Sequence, residues 1–194
     1  KDRTIFKMYD IVLFDMDGTL MDSAEGITNS VTYALNKMGI QVEDKKELLP
    51  FIGPPLVDSF KKYYGFTEDE ADQAVVYYRE YFGAGGLLEN QVYEGIHKLL
   101  EHLKNQGKTL IVATSKPENY TNIILDHFDL SKYFDVICGA SLDASRRTKI
   151  AVIKYALEKA GITDTSNAVM IGDRNFDIFG GQEVNMDTIG VLYG

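Results

Sequence analysis

Cysteine, proline and tryptophan are scarce in this chain: one Cys, four Pro and no Trp among 194 residues. The single thiol, Cys138, excludes an internal disulfide and a cysteine-built metal site, and it fits a reducing compartment. Positive charge is also short. Lys and Arg number 20 against 29 Asp and Glu, a formal net charge of −9. With no basic run, the overall field is poorly suited to nucleic-acid backbone or anionic lipid, so neither a nucleic-acid nor a membrane partner is expected. Any phosphate must be bound by a local site. No apolar stretch approaches membrane-spanning length and no signal-peptide pattern opens the chain, so the expected location is cytoplasmic. The chain begins Lys1-Asp2-Arg3 without an initiator methionine and stops just past its last expected strand. A trimmed first end and a further covering helix after the last strand are therefore expected.

What is present is globular material: 45% apolar and 25% charged residues, in a length that suits one or two domains with a real core. Ile11-Val12-Leu13-Phe14 is a short continuous apolar run ending at Asp15, the pattern of a strand buried on both faces. From Asp22 to about Phe82 the period is helical. Ile27, Val31, Leu35 and Met38 share one face, with Asp22 and Glu25 spaced as a capping box and Gly39 as a stop. A weaker helical piece covers Asp44–Leu49, and a further helix opens at Pro54 and closes near Gly65. Thr67 with Glu70 caps another, which Gly83 stops. After Gly83-Ala84-Gly85-Gly86, helices alternate with apolar strands at 110–113, 135–138, 168–171 and 188–191. Strands alternating with helices predict an α/β core around a Rossmann-like parallel sheet. The expected organisation is a core over 1–20 and 88–194, interrupted by an all-helical insertion over 21–87.

In open parallel sheets the ligand crevice lies beyond the carboxyl ends of the strands. Four polar groups fall there: Asp15-Met16-Asp17-Gly18-Thr19, then Thr114-Ser115-Lys116, then Lys149 at a helix start, then Gly172-Asp173-Arg174-Asn175-Phe176-Asp177. Carboxylates gathered in one cleft repel one another unless a cation lies between them. An all-oxygen donor set without nearby His or Cys points to a hard divalent ion, Mg2+, and not to zinc. The ion and Lys149 would supply positive charge and the hydroxyls of Thr114 and Ser115 would supply donors, an environment suited to a phosphoryl group. A carboxylate aimed at phosphorus can attack it, and a second acid two residues on can protonate the leaving oxygen.

In this set Asp15-Met16-Asp17-Gly18-Thr19-Leu20 resembles the first motif of the haloacid-dehalogenase-like phosphatases, and the other three groups match that family's remaining motifs in chain order. The resemblance implies that Asp15 is the nucleophile and Asp17 the general acid/base. It implies a metal shell of Asp15, the Asp17 backbone carbonyl and Asp173, supported by Asp177. Ser115 or Thr114 would hydrogen-bond the transferring phosphoryl, and Lys149 would neutralise it. The helical insertion is similar to the family's cap domain. Phe51-Ile52-Gly53-Pro54-Pro55-Leu56 and Thr114-Ser115-Lys116-Pro117 are most similar to phosphoglycolate phosphatase and 5′-nucleotidase-like members. Lys149 lacks the proline that often follows this lysine in relatives, which leaves Arg146 and Arg147 as competing cations. Dehalogenase activity is disfavoured, because those members lack the acid that Asp17 supplies.

The expected function is thus a Mg2+-dependent phosphatase acting on a small phosphomonoester through phospho-Asp15, as a monomer or homodimer. A phosphomutase of β-phosphoglucomutase type is the alternative within the same chemistry. A non-catalytic phospho-acceptor module is the alternative outside it, opposed by Asp17 and by the large insertion. Other residues have plainer readings. His97, His102 and His127 lack metal spacing; Cys138 reads as core. The aromatic group Tyr63, Tyr64, Tyr77, Tyr78, Tyr81 and Phe82 reads as packing inside the insertion. Gly83–Gly86 reads either as a hinge or as a helix-ending loop, and Phe51–Leu56 either as a substrate-selecting loop or as a turn.

Overall fold

The computed structural model describes residues 7–143 and 145–194. In chain order the elements are β1 (Ile11–Phe14), β2 (Met21–Asp22), α1 (Ala24–Lys37), α2 (Leu56–Tyr64), α3 (Glu68–Ala84) and β3 (Gln91–Val92). They continue with α4 (Ile96–Asn105), β4 (Thr109–Pro117), α5 (Glu118–His127), β5 (Val136–Ala140), α6 (Lys149–Lys159), β6 (Ala168–Gly172), α7 (Asn175–Gln182) and β7 (Asp187–Gly190). The chain divides into two compact units, Met21–Val92 and the remainder on either side of it.

The larger unit is α/β. Its parallel sheet has the order β5-β4-β1-β6-β7, with every pairing parallel. The central strands β1 and β6 and the first part of β4 are apolar and buried, whereas β7 at the sheet's edge is largely exposed. Leu13, Ile111, Ala113, Cys138 and Met170 of the sheet pack with Val152, Ile153 and Ala156 of α6 in one core, where burial pushes the Cys138 thiol up to about 11. Register is what positions the chemistry. Phe14 stands opposite Val112 of β4 and Ile171 of β6, so the next residues, Asp15, Ala113 and Gly172, come abreast at one edge of the sheet. The chain builds outward from β1 to β4 and β5, then returns to β6 on the other side, which makes the carboxyl end of β1 the switch point where ligands bind in open sheets.

The smaller unit is helical. A two-residue antiparallel ribbon, Met21–Val92 and Asp22–Gln91, ties its two ends together. Thr67 caps α3 as its spacing predicts: its hydroxyl accepts from Glu70 N at 3.3 Å, and the Glu70 carboxylate accepts from Thr67 N at 2.9 Å. The weak piece after Asp44 is a 3-10 turn over Lys45–Phe51. Aromatic clusters join aliphatic side chains such as Ile27, Val31, Leu35 and Leu48 in the core of the unit. Phe51, Phe60 and Phe66 stand with ring centroids 5.0 and 5.9 Å apart, and Tyr78 stacks on Phe82 at 5.3 Å. Phe51 is therefore occupied in packing, and within the segment 51–56 only the residues after it are left for contact with a ligand.

One local expectation is corrected. Asp22 and Glu25 form no capping box: the Asp22 carboxylate accepts from Ala24 N at 3.0 Å and closes a two-residue turn, because Asp22 belongs to the ribbon. Helix α7 forms although Gly180 and Gly181 lower helix propensity; both are buried, and tertiary packing overrides the propensity.

Candidate active site

Asp15 directly follows β1, and its N–H donates to Ile171 O at 2.9 Å, extending the ladder one residue past the strand. Its carboxylate is buried. Lys149, the first residue of α6, is also buried, and its ammonium lies 2.8 Å from Asp15 Oδ1 and 2.9 Å from Asp177 Oδ1. The same ammonium donates to Ala113 O at 3.0 Å, at the point where β4 passes into Thr114. One cation thus joins the residue after β1, the point in β4 where regular pairing breaks, and the first turn of α7.

Asp173 approaches from the loop after β6 and Asp177 from the first turn of α7. Asp173 lies 3.0 Å from Arg174 Nε, and Thr19 donates to its Oδ1 over 3.4 Å. Gly18 has φ +80°, and a side chain there would collide with the Asp173 carboxylate, so glycine at this position serves both the turn and the close approach. Asp177 is fully buried, and it fixes its own loop by accepting from Arg174 N at 3.0 Å. Carboxylate oxygens of Asp15, Asp173 and Asp177 lie within 4.8 Å of one another.

Asp17 faces differently. Its Oδ2 lies 3.2 Å from the buried Lys116 ammonium, while its Oδ1 is buried without a hydrogen-bond partner. Its side chain is not one of the three clustered carboxylates, so the backbone carbonyl is its remaining route to a metal. Thr114 is buried, its hydroxyl accepting from Lys116 N at 3.2 Å, whereas Ser115 is exposed. The register of β4 shifts between Ala113 and Pro117, the kind of irregularity that re-aims side chains at a strand end. Among the three neighbouring cations, Lys149 touches Asp15. Arg147 is exposed, and Arg146 is engaged with Gly139 O and Glu118. Sequence reasoning gave Lys116 no role. Its place in Thr114-Ser115-Lys116 was visible, but only the fold shows that it meets Asp17.

A family model described as haloacid dehalogenase-like hydrolase matches residues 12–191, all four groups included. The chain belongs to that family. The hydrolase is 45% identical over 186 residues to a 5′-nucleotidase of Pseudomonas aeruginosa, covering 96% of this chain and 84% of that one. It resembles the crystal structure of a predicted phosphatase from Clostridium acetobutylicum with a TM-score of 0.90 and 54% identity, covering 96% and 86% of the two chains. It is also 39% identical to the tyrosine-protein kinase PtkA of Mycobacterium tuberculosis, over 95% of this chain but only 62% of that protein.

The electrostatics of the hydrolase site are unbalanced toward negative charge. Burial and the Asp15 charge push Asp177 up to about 6, and the same two causes raise Asp173. Burial alone would lower the Lys149 ammonium, but the Asp15 and Asp177 carboxylates outweigh it and hold Lys149 above the ordinary lysine value. Such a site, with clustered oxygen donors and carboxyls that resist ionising, fits a hard divalent cation.

Proposed function

We propose that the protein hydrolyses a small phosphomonoester, of phosphoglycolate or nucleoside monophosphate type, through a phospho-Asp15 intermediate with Mg2+ as cofactor. The observation that carries this reading is the Lys149 ammonium held between Asp15 and Asp177 at the edge where Thr114 begins, with Asp17 two residues from Asp15 and turned onto Lys116. Asp15, the Asp17 backbone carbonyl, Asp173 and the supporting Asp177 are the groups that would hold Mg2+. Bound there, the ion supplies charge neutralisation for a carboxylate and a phosphoryl group that otherwise repel each other.

The residues divide the work as follows. An Asp15 carboxylate oxygen attacks phosphorus, the bond from phosphorus to the ester oxygen breaks, and the leaving oxygen takes a proton from Asp17. Water then attacks the phosphorus of phospho-Asp15 and passes its proton to Asp17, releasing orthophosphate and restoring Asp15. Anchoring Asp17 Oδ2 on Lys116 leaves Oδ1 as the atom that exchanges the proton. Lys149 balances charge on the phosphoryl oxygens, and Thr114 donates to them, with Ser115 on the surface beside it. The helical unit serves as the cap that selects among esters. Its position in the chain, directly after the first catalytic loop, supports this role.

The test is phosphate release from glycolate, nucleotide and sugar phosphates, with Mg2+ and with EDTA, for wild type and Asp15→Asn. Turnover that needs both Mg2+ and Asp15 is expected. Full activity in Asp15→Asn would overturn the reading, and isomerisation of a sugar phosphate without release would replace it by a mutase. A stable phosphorylated chain without turnover would replace it by a phospho-acceptor.

A further inference from the structure

Beside the catalytic edge lies a second polar cluster that the mechanism does not use. Arg146 stands three residues before Lys149, in the turn that delivers it. Its Nε donates to Gly139 O at 2.7 Å, and its Nη2 lies 3.0 Å from Glu118 Oε2. The guanidinium carbon sits 3.8 Å above the centre of the Tyr155 ring, so its flat face is covered as well. Glu118 is the first residue of α5, directly after Thr114-Ser115-Lys116-Pro117, and its Oε2 also accepts from Gly139 N at 3.1 Å. Gly139 itself closes on the same turn. A side chain there would collide with Lys116 O and approach Glu118 N and Cα at 2.7 Å. The turn is tied back a second time, Arg146 N donating to Ser141 Oγ at 2.8 Å.

Three segments are thereby locked together: the end of β5, the irregular last stretch of β4 that carries Thr114 and Lys116, and the turn that starts α6 at Lys149. Within the site the last two are tied by the bond from Lys149 to Ala113 O, made by the catalytic ammonium itself. Resting on the phosphatase reading above, we propose that Glu118 and Arg146 are positioning residues, a clasp that sets the Thr114 hydroxyl and the Lys149 ammonium at the separation a phosphoryl group requires. The clasp relieves Lys149 of holding α6 in place and leaves its charge for the substrate. Glu118 and Arg146 touch no reacting atom; they act through Thr114, Lys116 and Lys149.

The experiment measures kcat, KM and the orthophosphate inhibition constant with p-nitrophenyl phosphate and Mg2+ for wild type, Arg146→Met, Arg146→Lys, Glu118→Gln and the Glu118→Gln/Arg146→Met double variant. Each is assayed well below its own melting temperature. Arg146→Met is expected to lower kcat/KM by about tenfold to a hundredfold, since small displacements of positioned groups carry losses of that size. Orthophosphate should inhibit it correspondingly less, because product binds the same two groups. Arg146→Lys, which keeps the charge but cannot span both partners, should recover part of the loss. The double variant should be no worse than Arg146→Met, as for two residues that act as one unit. Wild-type kcat/KM and phosphate inhibition in Arg146→Met would overturn the clasp, as would losses that multiply in the double variant. A loss that vanishes on cooling would do the same, by reducing the pair to a stabilising contact. A wild type that releases no phosphate, or Asp15→Asn that still does, overturns the phosphatase reading and the clasp with it. An Asp15-dependent wild type with indifferent Arg146 variants overturns the clasp alone.

Discussion

In the α/β unit the buried polar residues include the charged groups Asp15, Lys116, Lys149 and Asp177, all at one edge of the sheet, with Lys108 apart from them on Asp10. In the helical unit, among the described residues, the buried polar ones are neutral: Ser23, Thr28, Ser30, Ser59 and Asn90. One unit buries charge against charge, and the other buries rings against rings. Burying charge is unfavourable unless it is paired, and imperfect pairing shows directly in the raised Asp173 and Asp177 carboxyls. The α/β unit therefore carries unbalanced buried charge, while the helical unit is held by packing. Removing a carboxylate charge at that edge should alter activity and leave or even raise stability, removing its cation should lower both, and changes among the buried rings should lower stability alone.

The sharpest way to break this contrast is Asp15→Asn. It should reduce phosphate release by at least about 10^3-fold, as loss of a nucleophile does, while the metal-free protein melts at the same or a higher temperature because one repelling charge is gone. Lys149→Met comes next. It removes the cation shared by Asp15 and Asp177, so activity should fall about 10^2-fold or more and the metal-free protein should lose about 3–5 kcal/mol. Chemical denaturation at pH 7 and at pH 5 checks the cause, since protonating the orphaned carboxylates at the lower pH should recover part of the loss.

Phe60→Ala tests the other side. Phe60 is fully buried between Phe51 and Phe66, and truncation should cost about 3–5 kcal/mol by denaturant melting. Its turnover number on a small ester such as p-nitrophenyl phosphate should stay within a few-fold of wild type below the melting range. A collapse of turnover with unchanged stability would show that the ring cluster is part of the chemistry and would dissolve the contrast.

A fourth effect is pH-linked. Asp177 sits at about 6 in the folded chain against an ordinary 3.8, so the folded state binds its proton more tightly than the unfolded chain does. Its unfavourable contribution is absent below about pH 4, grows as the pH rises toward 6, and then stays constant at about 3 kcal/mol or less. The metal-free wild type should thus lose stability across that interval relative to Asp177→Asn. Saturating Mg2+ should flatten the difference by favouring the ionised carboxylate. The smallest effect is Thr67→Ala, which removes the cap of α3 and should cost about 1 kcal/mol without touching activity.

Much of this was legible in the chain itself, and the reason is local. A run such as Ile11–Phe14 that stops at Asp15, or Thr67 spaced three residues from Glu70, carries its own physical rule, because strand burial and helix capping act over a few residues. Asp15, Lys149, Asp173 and Asp177 could be gathered in advance because parallel strands end at a common edge, so strand ends are neighbours whatever their separation in sequence. Where local rules compete, the reading failed. Asp22 had the spacing of a cap but was taken by the ribbon. Lys116 was in plain view within a motif, yet its partner is 99 residues away and no periodicity points to it.

By itself the sequence determined the kinds of element, their order, and the set of side chains that reach the carboxyl edge of the sheet, since each follows from patterns spanning a few residues. Only the tertiary structure decided which of those side chains pair. The ammonium that meets Asp15 is Lys149 and not Arg146 or Arg147, Asp17 turns to Lys116, and Arg146 turns to Glu118 and Gly139. Pairing depends on angstrom-scale distances between segments far apart in the chain, and those distances are set by strand register and helix packing acting together.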